Sequence, residues 1–61
     1  MEAVRTEREV IDEVSQSIRK LLRAGRTVSL KEPWLLSLQE EYVCLGGTGE
    51  AFIAHCRSIR V

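Results

Sequence analysis

Sixty-one residues make one small domain, residues 1–61, and a chain this short buries only about 60% of the surface it exposes when unfolded. With 44% hydrophobic and 30% charged residues, the composition is that of a folded domain and excludes wholesale disorder. Nine basic residues balance nine acidic ones, so bulk charge gives no pull towards nucleic acid or a membrane surface.

No apolar run approaches the roughly 18 residues of a membrane span. The opening MEAVRTEREV lacks the apolar centre of a signal peptide. A cytoplasmic chain is the expectation. Two cysteines, Cys44 and Cys56, do not make a secreted disulfide framework. They read as small buried or half-buried thiols, with a bridge between neighbouring helices as the alternative.

The charges come in blocks. Residues 2–13 hold five acids and two bases. Arg19, Lys20, Arg23, Arg26 and Lys31 follow with no acid among them, and Glu32, Glu40, Glu41 and Glu50 follow with no base. The molecule should therefore be electrically dipolar.

Residues 3–24 read as one long helix. Ile11, Val14, Ile18 and Leu21 recur at intervals of three and four, and Val10 and Leu22 widen the seam. Thr6 and Glu9 have the spacing of a capping box, which places the stable start near Glu7. Acids in the first half and bases in the second suit the helix dipole. Gly25 follows where a left-handed cap is wanted.

Residues 26–30, RTVSL, alternate and admit a short strand or an extended connector. From Pro33 the sequence forks. Pro33 can open a helix that runs to Leu45, where its missing N–H costs nothing. Alternatively Ser37 caps a shorter helix behind a small hairpin over residues 26–38. The first is favoured, because Trp34, Leu35, Leu38, Tyr42 and Leu45 hold one helical phase within roughly 100° of arc. On that wheel Trp34 is expected to be mostly buried, near Ile18 and Leu21.

Gly46-Gly47-Thr48-Gly49 is a turn between helices. It lacks the third glycine of a dinucleotide-binding loop, where Phe52 stands, and no Gly-Lys-Ser/Thr follows. Residues 50–60 read as a last helix with the stripe Phe52, Cys56 and Ile59, and with Ile53 at its edge. The expected fold is mainly α: a long N-terminal helix, then helix, glycine turn, helix. An α+β arrangement with the 26–38 hairpin is the alternative.

The chemistry-bearing residues are few. His55 and Cys56 are neighbours and diverge by about 100° on a helix. Cys44, His55 and Cys56 fall short of the four close ligands of a structural zinc site. No catalytic, cofactor or metal residue is assigned, and no small-molecule substrate is evident.

Surface features say more. Leu36 and Val43 lie opposite the core stripe of the second helix. With Ile11 and Val14 of the first seam they form the expected partner interface. Arg19, Lys20, Arg23 and Arg26 form a basic cluster suited to an acidic partner or a phosphate. A first helix of about 30 Å would outrun its partners and leave seam for a second copy. Two such helices lying antiparallel would set each acidic half on a basic half.

The functional expectation is a small non-enzymatic interaction module, an adaptor, inhibitor or assembly component, acting as a homodimer. The alternative is a helix-turn-helix-like nucleic-acid-binding regulator that reads bases with His55, Arg57, Ser58 and Arg60.

Overall fold

The computed structural model describes residues 5–61. It contains three helices: α1, Glu7–Arg23; α2, Pro33–Cys44; and α3, Gly49–Ser58. Among the described residues there is no strand, so the hairpin alternative and the short strand at 26–30 both fall away. That segment is an extended connector, with Val28 and Leu30 half-buried against the core.

Each boundary has a local cause. Thr6 Oγ1 accepts from the Glu9 N–H at 3.2 Å, and Glu9 Oε1 accepts from the Thr6 N–H at 2.8 Å. This reciprocal box starts α1 at Glu7. The expected start at residue 3 is not met: residues 3 and 4 lie outside the described residues, and Arg5 and Thr6 are not helical.

At the other end of α1 the Gly25 N–H donates to the Leu22 carbonyl and the Arg26 N–H to the Leu21 carbonyl, each at 3.0 Å. This pair of bonds satisfies the last carbonyls and requires a left-handed residue at Gly25, whose φ is +77°.

α2 opens at Pro33 because a proline pushes the residue before it out of helical space. Glu32 accordingly sits at φ −66°, ψ 141°. Its carboxylate bridges the connector to the helix: one oxygen accepts from the Ser29 N–H at 3.0 Å, the other from the Trp34 indole N–H at 2.9 Å. These two bonds, with Arg26 nearby, hold the Glu32 carboxyl below its ordinary pKa of 4.5.

α2 closes as α1 does, through Gly46 at φ +109°. The Gly46 N–H donates to the Val43 carbonyl and the Gly47 N–H to the Tyr42 carbonyl. Thr48 then caps α3, its hydroxyl accepting from the Ala51 N–H at 3.1 Å. The turn is thus two helix caps placed back to back.

The connector after α1 reverses the chain, so that the end of α2 returns to the start of α1, where Arg5 meets Glu41, and the glycine turn reverses it again, which brings the end of α3 beside Ile18 and Leu22. All three pairs of helices touch. The core is Val10, Val14 and Ile18 of α1, Leu35 and Leu38 of α2, Phe52 and Cys56 of α3, and Ile59 just beyond it. Tyr42 packs on Phe52 with ring centroids 5.8 Å apart.

Trp34 is not the centre of the α2 stripe. It is half-buried at the rim, while Leu35 and Leu38 are 1% and 7% exposed. The stripe has the expected members, but its axis is rotated towards Leu35. Trp34 stands on the first turn of α2, and its indole N–H is held by Glu32 at the edge of the core.

Two predictions follow from the caps. A Cβ at Gly47 would overlap the Tyr42 ring, which is itself packed on Phe52. Gly47→Ala should cost about 1–3 kcal/mol, read as a lower urea midpoint at unchanged slope.

The depressed pKa of Glu32 means that folding favours its ionised form. That contribution is complete above pH 4.5, the ordinary value, and is lost as pH falls through the lowered folded-state value. The stability gap between wild type and Glu32→Gln should therefore shrink on acidification, as measured by urea melts from neutral pH to acid.

Candidate interaction surface

α1 and α2 differ in how they distribute apolar residues. α1 is strongly amphipathic, with one stripe buried and the opposite face charged. α2 is apolar on two sides. Leu35 and Leu38 enter the core, whereas Leu36 and Val43 on the outer face are each 46% exposed. Seven residues apart, they stand two helical turns from one another on nearly the same line. Together with Gln39, Glu40 and Cys44 they line a shallow apolar groove open to solvent.

The two interface residues expected on α1 are placed differently. Val14 is 0% exposed and Ile11 is half-buried against the core. Along α1, Val10, Val14 and Ile18 are buried, Ile11 and Leu22 pack against them, and Leu21 is half-buried. The helix has 17 residues, about 25 Å at 1.5 Å each. Most of its apolar seam is thus committed to the interior.

Both thiols are free. Cys56 is in the core, and its burial raises the thiol pKa, which keeps it protonated. Cys44 is exposed on the α2 groove rather than buried as expected.

The basic cluster is larger than its sequence block. Arg19, Lys20 and Arg23 lie exposed along α1 with Gln16. Arg26 and Lys31 follow in the connector, and the fold brings Arg57 and Arg60 of the C-terminal segment to the same end. Seven of the nine bases therefore share one pole.

Among the described residues the single acid there, Glu32, is engaged by Ser29 and Trp34. The opposite pole holds Glu7, Glu9, Asp12, Glu13, Glu40, Glu41 and Glu50, with Arg5 ion-paired to Glu13 and, at 3.0 Å, to Glu41. Charge blocks in the sequence have become poles because an up-down-up bundle returns the end of α3 to the end of α1.

One polar pair was not foreseen. Ser15 Oγ and His55 Nε2 are 2.8 Å apart, linking α1 to α3. The signal was present: Ile11, Ser15, Ile18 and Leu22 step by four, three and four, so Ser15 sits within the apolar stripe. A serine there needs a partner, and the half-buried His55 supplies it. Ser15 is 8% exposed, which encloses its hydroxyl between two helices. The hydroxyl can donate to a neutral ring nitrogen or accept from a protonated one, so the tie persists in either state.

Among the described residues no three His, Cys, Asp or Glu side chains gather where they could hold a metal ion, and no helix is long and apolar enough to cross a membrane. No protein-family model, no curated protein and no solved structure matches the chain.

Ser15→Ala should cost about 1 kcal/mol, the net worth of one hydrogen bond. Thermal melts of the variant beside wild type should show this loss.

Proposed function

We propose that this chain is a small non-enzymatic interaction module, an adaptor, inhibitor or assembly component, that docks through the outer face of α2 and takes a second copy of itself as partner. The observation that supports this reading is the pair Leu36 and Val43, each 46% exposed on a helix whose other face already fills the core. A surface helix in a small monomer needs one apolar stripe; a second stripe gains its burial only from a partner.

Antiparallel pairing of two α2 helices sets Leu36 of one copy against Val43 of the other, with Gln39 and Glu40 flanking the seam. The two-fold axis then falls between Gln39 and Glu40, so each Glu40 opposes Gln39 of its copy and lies about one residue's rise from the other Glu40. Glu41 shares the Arg5 guanidinium with Glu13, and Glu40, beside the seam, is the main repulsive element. The patch is a single helix face, smaller than the roughly 800 Å² per partner of a standard interface. The dimer is therefore concentration-dependent.

The helix-turn-helix alternative is less well supported. The N-terminal end of α3, which would lead into a groove of DNA, carries Glu50 and stands at the acidic pole. His55, one of its expected base readers, is bonded to Ser15.

Light scattering over a dilution series tests the reading. The dimer fraction should rise with concentration and with salt, because screening relieves the Glu40 repulsion. It should rise further in Glu40→Gln. Leu36→Glu with Val43→Glu should give a monomer whose melting temperature is little changed, since both side chains are surface residues. A wild-type chain that is monomeric throughout, whatever the salt, would end this reading.

A further inference from the structure

The basic pole carries more than charge. Between the end of α1, the connector and the C-terminal segment lies a cleft of ≈ 340 Å³. Its floor is aliphatic: Ile18 and Ile59 are buried, and Leu22, Val28 and Leu30 are half-buried. Arg57 and Arg60 stand exposed on its rim. Arg60 is steadied there by its Nη1, which donates to the Arg57 carbonyl at 3.2 Å. Among the described residues Glu32, held by Ser29 and Trp34, is the acid at this end; Glu7, Glu9, Glu41 and Glu50 lie towards the other, and the surface does not include Leu36 or Val43.

We infer that this cleft is a second docking site, and that its occupant is an acidic peptide segment of a partner protein bearing aliphatic side chains. Aliphatic groups enter between the helices while carboxylates pair with the rim arginines. Guanidinium groups suit this role because their planar fork meets a carboxylate with two hydrogen bonds.

The net charge of zero does not oppose it. The poles are separated by most of the length of α1, about 25 Å, and the Debye length in physiological salt is about 8 Å. An approaching anion at the basic pole is therefore largely screened from the acidic one.

The form of the cleft separates the peptide from other polyanions. A nucleic-acid backbone gains nothing from a recessed aliphatic floor. The stacking group it would seek, Trp34, is half-buried with its indole N–H held by Glu32. A membrane is bound by apolar side chains that protrude into it, and those lining this cleft are recessed.

The test is fluorescence anisotropy with three labelled probes and anionic vesicles. The first probe is a Glu-rich peptide with leucines at i, i+3, i+4 and i+7, the second is poly-glutamate of equal charge, and the third is single-stranded DNA of equal charge. The leucine-bearing peptide should bind tightest and weaken with salt. Arg57→Glu with Arg60→Glu should lower its affinity at least about tenfold; both residues are exposed, and circular dichroism checks that the helices persist.

Amide cross-peaks of Val28, Leu30 and Ile59 should shift on titration in wild type. Leu36→Glu with Val43→Glu should leave peptide binding intact, so this site and the α2 face succeed or fail separately. Equal binding of poly-glutamate would remove the cleft from the argument. Tighter binding of DNA or vesicles would make the pole a phosphate site. Association of the chain with itself that grows at low salt would assign the pole to the acidic end of another copy. Each of these outcomes, or no binding at all, overturns the proposal.

Discussion

Everything in this molecule leans on one wall: Val10, Val14 and Ile18 of α1, each 0–4% exposed. α2 and α3 are short, at 12 and 10 residues, and neither is long enough to be a stable helix alone in water. They persist because Leu35 and Leu38 on one side, and Phe52, Cys56 and Ile59 on the other, find the same wall. With eight buried hydrophobic residues among those described, the core has little redundancy, and the caps carry a correspondingly large share of specification. A reciprocal Thr6–Glu9 box, a proline start and two glycine exits decide where each helix stops, and so which side chains face inward.

The use of the α1 wall also decides what is left for partners. Most of its seam has gone into closing the core. The spare apolar surface has shifted to α2, where Leu36 and Val43 stand on the outer line, and the charges have shifted to the ends. A chain of net charge zero can thus hold two separate surfaces of different character: one apolar with acidic neighbours, one aliphatic and basic. The associations proposed for them would respond to salt in opposite senses, because one opposes like charges and the other attracts unlike ones. That difference gives the two surfaces separate experimental signatures.

Much of this architecture was legible in the residues. Three helices, their approximate limits, the capping box at Thr6, Pro33 as an opener and the glycine turn are all short-range matters. They depend on backbone sterics and on bonds between residues three to five apart, so they are written locally. The core membership of α3 and the outward placing of Leu36 and Val43 follow from period alone. Trp34 was misjudged because wheel phase states which residues share a face, not where along that face the neighbouring helix makes contact. Trp34 and Leu35 are the two edges of the same arc, and packing turned the Leu35 edge inward and left the indole at the rim.

The rest is long-range. Whether Val14 faced its own core or a second copy could not be read from a seam, since both uses demand the same a/d spacing. That Ser15 would meet His55 forty residues on, and that Arg57 and Arg60 would join the α1 cluster, depends on the direction in which α3 returns. The helices, their caps and the two-sided character of α2 are written locally, because hydrophobic period and terminal hydrogen bonds act within a few residues. Which apolar stripe became interior and which remained surface, and how blocks of charge became poles, are matters of packing, because they depend on how three helices share one small volume.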